Sequence, residues 1–215
     1  SLGHVLVLVP GHGGGGGGGG GEGGGGGGGQ TTLSPQHRNE LRAFIQDSYA
    51  YYYYRRGKSA AALQYAQKAM RIHVRLRAWE HVAKCHLHIG AILSRLRRHD
   101  EAIRAMGQVL LMVEDGRLES GGASAQKICL VAVTYHNIAA EQLLLSRVHE
   151  ACVSSQNARR LARLSLSYSN RWLKNFEATH KMALAALSTQ REVRTKIHSK
   201  EQAQLFQDLT GTLYT

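Results

Sequence analysis

Proline is the residue that constrains this chain most. Among 215 residues only Pro10 and Pro35 are proline, so everything after Pro35 lacks the one residue that both fixes φ and removes a backbone donor. A chain without such punctuation favours long helices over an all-β fold built from many turns. On the other side of Pro35 glycine takes over. Gly11 to Gly29 is a glycine tract interrupted only by His12 and Glu22. Glycine loses the most backbone entropy on ordering and brings no side chain to bury. Residues 1–34 are therefore expected to be a disordered glycine-rich segment that folding does not need. The remainder is long enough for one domain of ordinary size. The expected organisation is a helical domain over 35–190, then a basic, polar C-terminal tail over 191–215.

Capping residues and periodicity divide the helical part. Ser34-Pro35 reads as an N-cap followed by proline at the first helical position. The helix continues through Leu41, Phe44, Ile45, Tyr49 and Ala50 toward Tyr54, and Gly57 marks a turn. Ser59 is expected to cap a second helix through Leu63, Tyr65, Ala66, Ala69, Met70 and Ile72. No glycine or proline interrupts Ala69 to Gly90. Asp100-Glu101-Ala102-Ile103 opens a further helix, and Glu114-Asp115-Gly116 with Glu119-Ser120-Gly121-Gly122 makes a flexible loop. Ala132–Ser165 reads as two amphipathic helices hinged near Ser146–Arg147. Tyr135, Ile138, Ala139 and Leu143 share one face, and Val148, Ala151, Cys152, Ser155, Ala158 and Leu161 form a second stripe. Ser154 falls off that stripe and is expected on the surface. Tyr168 to Leu187, with Trp172, Phe176, Met182, Leu184 and Leu187, predicts a closing helix. A weak last helix is expected around Glu201 to Leu209.

These helix pairs resemble tetratricopeptide (TPR) repeats. Tyr135 takes the tryptophan place of that pattern, Ile138-Ala139 the Leu-Gly pair, and Ala151 and Ala158 the two small positions of the second helix. Ile89-Gly90 fit the same pair in the middle repeat. Ala62, Ala69 and Tyr53 take the matching places in the first. Ala62 and Ala102 lie 40 residues apart, a period that resembles the longer Pins-type and kinesin-light-chain repeats. The resemblance implies an all-α superhelix of about three antiparallel helix pairs plus a capping helix. It also implies a non-enzymatic scaffold or adaptor that takes a peptide or helix, acidic or amphipathic, in a concave groove. The groove positions carried over are Phe44, Asp47, Tyr51, Tyr54 and Arg55, then Lys84, Leu87 and Arg95, then His136, Leu143 and Leu144. The subgroup that clamps chaperone tails uses lysine, asparagine and arginine. Here those places hold Asp47, Tyr51, His88, Val133 and Asn137, so that role is not expected. By the same kinship, the implied setting is cytoplasmic, in a cytoskeletal or ciliary assembly.

Charge leaves a second class open. The formal net charge is +12, the isoelectric point is about 10, and arginine outnumbers lysine more than two to one. Such a balance suits nucleic acid, anionic lipid or acidic protein tails. The alternative is thus an RNA-binding or ribonucleoprotein component using a basic helical surface that includes Arg159, Arg160 and Arg163. Tyr51 to Tyr54 beside Arg55-Arg56 mixes aromatic and basic groups as single-strand binders do, although four consecutive tyrosines on a helix point in four directions. No run of 18 apolar residues predicts a membrane span, and Val5 to Val9 is too short for a signal-peptide core. The chain starts at Ser1 without methionine, as a fragment or processed product does.

No chemistry is expected. Cys85, Cys129 and Cys152 are odd in number and show no paired spacing, as in a reduced intracellular compartment. His81, Cys85 and His88 stand at i, i+4 and i+7, a spacing metal ligands use. With no second cluster in view, they read as a core cysteine beside two solvated histidines. Cys152 follows His149 without an orienting third group and reads as a buried inert thiol. Gly57-Lys58-Ser59 lacks the glycine a phosphate loop needs five residues earlier, where Tyr52 stands. No catalytic residue, cofactor or metal ligand is assigned.

Overall fold

The computed structural model describes residues 34–118, 125–167 and 170–211. The expectations for 1–33 and for the loop at 119–124 fall outside them, as does Tyr168. The described residues form α1 (Pro35–Arg55), α2 (Ser59–Arg75), α3 (Trp79–Arg95), α4 (His99–Glu114), α5 (Ala125–Leu144), α6 (Val148–Ser165) and α7 (Arg171–Gly211). No strand occurs among them, and no helix is long and apolar enough to cross a membrane. The chain divides into two compact units, one holding α1–α4 and the other α5–α7.

Local chemistry sets the helix ends. Ser34 Oγ accepts from the backbone N–H of His37 at 3.2 Å, and Pro35 fills the first turn, where a missing N–H costs nothing. At the other end of α1 the chain passes through Gly57 at φ +74. Lys58 N–H donates to Tyr53 O and Gly57 N–H to Tyr54 O, the paired bonds of a Schellman stop. The same two bonds recur after α2 at Arg77 (φ 54), after α3 at Arg97 (φ 62), after α4 at Gly116 (φ 71) and after α5 at Ser146 (φ 57). After α1, α2, α3 and α5 the following helix then starts without a side-chain cap. Ser59 is its first residue and Lys58 stands at the cap, so the expected Ser59 cap is replaced by the outgoing turn.

In the α1–α4 unit, α1 packs on α2, α2 on α3 and α3 on α4. Small residues let α1 and α2 meet closely: Ala43 and Ala50 are buried on one side, Ala62, Ala66 and Ala69 on the other. Tyr53 stacks on Tyr65 with centroids 5.3 Å apart, and Tyr49 sits 5.2 Å from the same ring. Because α3 lies between two neighbours, it buries Val82, Ala83, Cys85, Leu87, Ile89, Ile92 and Leu93 against partners that include Met106, Val109 and Met112. Gly90 makes this possible, since a Cβ there would lie 2.5 Å from Met106 Cγ and 3.3 Å from Ala102 O.

In the α5–α7 unit, α6 packs on both α5 and α7, and α5 also meets α7. Ala151, Ala158 and Ala162 are buried, as the small-residue stripe requires. Ser154 is buried too, at 8% exposure, because α6 covers two partners and has two inward faces rather than one. The helix predicted over Tyr168 to Leu187 is longer than its apolar part. α7 runs on through residue 190 to Gly211, and its side chains from 191 to 205 are all exposed. No break in secondary structure marks the boundary expected at 190.

Candidate functional site

The α1–α4 unit holds the cavity with the most chemistry. α1 supplies Glu40, Phe44 and Asp47, α2 supplies His73, and α3 supplies His81, Lys84, Cys85 and His88, around a volume of about 340 Å³. Asp47 is its pivot. His73 Nε2–H donates to Asp47 Oδ2 at 2.8 Å, and the Cys85 thiol donates to Oδ1 at 3.6 Å. His81 stacks on His73 with centroids 4.7 Å apart and 12° between planes. Burial and the Asp47 carboxylate both push the Cys85 thiol far above its ordinary range, so unaided it stays protonated and is no nucleophile. Burial, then His73 and Lys84, lower the His81 pKa, against the opposing pull of Asp47 and Glu80.

A smaller hollow lies further along the same two helices, lined by Ala50, Tyr51 and Tyr54 of α1 and by His88, Ala91 and Ile92 of α3. Arg95 lies against Tyr54, one of the hollow's lining residues, and is already engaged. Its guanidinium lies 3.7 Å from the Tyr54 ring centroid, and one nitrogen donates to Tyr54 O at 2.5 Å. Burial raises the Tyr54 pKa, against the opposing pull of Arg95. Arg55 reaches over Tyr51 at 6.0 Å. The four tyrosines divide as their consecutive places dictate: Tyr51 and Tyr54 border this hollow, whereas Tyr52 and Tyr53 join the ring cluster with Tyr49.

The groove residues carried over from sequence therefore separate. Phe44, Asp47, Tyr51, Tyr54, Arg55, Lys84 and Arg95 come together along α1 and α3. Leu87 does not: it is 1% exposed, turned into the core because α3 is covered from both sides. His136 is corrected likewise. It is 1% exposed and meets the Phe176 ring edge-on at 4.9 Å, since α7 covers the face on which it was placed. Leu143 and Leu144 are half-buried at the end of α5, in the other unit. Of the i, i+4, i+7 cluster, Cys85 is a core cysteine and His81 is exposed as expected, while His88 is half-buried. Periodicity missed His73, whose link to Asp47 spans 26 residues. Cys152 is half-buried rather than buried.

The α5–α7 unit carries a second polar pair. Ser155 Oγ lies 3.0 Å from His180 Nδ1 and 3.1 Å from Cys152 O. Ser155 is 1% exposed, so the pair holds α6 to α7 and offers no accessible nucleophile. Two of the arginines proposed for a basic surface, Arg159 and Arg163, both engage Glu177, at 3.5 and 2.5 Å. Arg159 is half-buried and only Arg160 and Arg163 are exposed.

No protein-family model matches the sequence, and neither curated proteins nor solved structures give a match.

Proposed function

We propose that the chain is a non-enzymatic interaction scaffold of TPR-like helix pairs, and that the α1/α3 face takes a peptide or short helix of acidic, amphipathic character. The observation that carries this reading is the pair of hollows joined at His88, with tyrosine rings and basic groups around one end. Such faces bind through a few aromatic, arginine and apolar anchors. Tyr51, Tyr54 and Phe44 offer ring area, and Lys84, Arg55 and Arg95 offer positive charge. The helix-pair reading draws support from α2 and α4, which start 40 residues apart, and from the burial of Ala62 and Ala102 at matching places. The face is confined to α1–α4, so Leu143 and Leu144 are not part of it. The RNA alternative draws less support, because Glu177 already engages Arg159 and Arg163.

A displayed library of acidic amphipathic peptides tests the reading. Binders selected on the full chain are expected to bind Tyr51→Ala/Arg95→Glu at least about tenfold more weakly, with helical circular dichroism preserved. They should bind Arg159→Gln/Arg160→Gln/Arg163→Gln as they bind wild type. Binding that survives the first variant removes the α1/α3 face from consideration. RNA retention that is steeply salt-dependent and lost in the triple variant puts the basic surface in its place.

A further inference from the structure

Three helices of the α1–α4 unit each deliver one metal-ligand side chain to a single point. Ligand atoms of Asp47 from α1, His73 from α2 and Cys85 from α3 all lie within 4.8 Å of one another. We propose that these three side chains form a binding site for one divalent ion of the zinc class, with the fourth position opening onto the 340 Å³ cavity.

Geometry is the first support. Zinc holds nitrogen and oxygen at about 2.0–2.2 Å and sulfur at about 2.3 Å, so tetrahedral ligand atoms stand about 3.3–3.6 Å apart. The present separations are 2.8 Å from His73 Nε2 to Asp47 Oδ2 and 3.6 Å from Cys85 Sγ to Asp47 Oδ1. An ion enters by replacing these two hydrogen bonds, and the His73–Cys85 separation also lies within the 4.8 Å of the cluster. Ligand chemistry is the second. One imidazole, one carboxylate and one thiol suit zinc or cobalt, whereas magnesium and calcium take oxygen alone. Charge agrees: thiolate and carboxylate together balance a divalent cation.

Burial agrees. His73 is 6% exposed and Cys85 2%, so packing holds both ligands at this point rather than leaving them free on the surface. Access is present as well, because the same three residues line the cavity wall. A site serving packing alone needs no such opening.

Cobalt titration of the reduced, metal-stripped full chain tests the proposal, and no peptide ligand is needed, so its outcome is independent of the groove reading. Saturation at one ion per chain is expected, with thiolate-to-cobalt charge transfer and visible bands of tetrahedral intensity, both bleached by equimolar zinc. Cys85→Ser should abolish the charge transfer. Asp47→Asn and His73→Gln should each weaken binding about tenfold or more. Cys129→Ser/Cys152→Ser should leave the spectrum intact. A wild-type chain without charge transfer overturns the proposal, as does a band that survives Cys85→Ser. Should Cys85→Ser fail to fold by circular dichroism, Asp47→Asn decides, because cobalt affinity equal to wild type in that variant overturns it too.

Discussion

Arg77 occupies a backbone conformation that glycine adopts without strain. Its φ is 54, in the left-handed region that costs an ordinary residue about 1–2 kcal/mol. Gly57 holds the same place one helix earlier, and a Cβ added there meets nothing within 4 Å, so backbone strain alone decides that site. Gly57→Ala should therefore lose about 1 kcal/mol and Arg77→Gly should gain about 0.5–1 kcal/mol, read as opposite shifts in urea midpoint. The pair also shows what the sequence disclosed. Gly57 announced its turn and Arg77 did not, because no breaker residue stands between Ala69 and Gly90. Burial was partly legible in the same way. Ala151 is at its expected core place, and Ala151→Leu should cost about 1–3 kcal/mol by over-packing. The silent control must be Val153→Leu, since Val153 is 62% exposed and Ser154 is buried. His180 adds a pH dependence. Burial and the neighbouring Arg159 lower its pKa, against the opposing pull of Glu177, and Ser155 is its hydrogen-bond partner. A folded pKa below the unfolded value of about 6.5 means that stability is complete above that pH and falls as pH drops through the folded pKa. His180→Gln should flatten the fall in melting temperature between about pH 7 and pH 5.

Helices of this chain pack through what they lack as much as through what they carry. Gly90 lets α3 settle against Met106, while Gly107 on α4 has open space where a Cβ would go. Alanine at each position gains helix propensity of about 1 kcal/mol, and the surroundings decide the sign. Gly107→Ala should stabilise by about 0.5–1 kcal/mol, whereas Gly90→Ala should destabilise by about 1–3 kcal/mol because Met106 Cγ must move. Equal effects in thermal melts would mean that α3 and α4 are not closely apposed. The resemblance singled out Gly90 by its Leu-Gly place, but the close approach to Met106 that it permits is visible only in the structure. The Asp47–His73–Cys85 convergence was not legible either. Periodicity reports which residues share a face of one helix, and these three come from three helices. Leu87 and His136 were misplaced for a related reason: a helix covered by two neighbours buries more than one stripe. The continuity of α7 with the weak last helix expected around Glu201 to Leu209 was missed because the side chains from 191 to 205 are exposed, so no apolar period joins the two stretches.

Across the molecule, each of the two compact units has its own buried side chains, led by Ile92, Met106 and Val109 in α1–α4 and by Val133, Phe176 and Ala158 in α5–α7. Residues 34–118 expressed alone are expected to give a helical circular-dichroism spectrum and one cooperative melt. A gradual, non-cooperative loss of signal would show that this segment needs the remainder of the chain. Much of the basic charge is also a matter of helix ends. Arg55, Arg56, Lys58, Arg75, Arg77, Arg95, Arg97, Arg98, Arg117 and Arg147 cluster at five stops, where the negative end of the helix dipole favours cations. A high isoelectric point here thus partly records how helices finish, which composition alone does not reveal. The stops at 57, 77 and 97 recur every 20 residues, and each one reverses the direction of the chain. A deletion of 40 residues within α1–α4 would leave the remaining helices of that unit pointing as before. One of 20 would turn them end for end, so length variation within this unit is expected in pairs of helices.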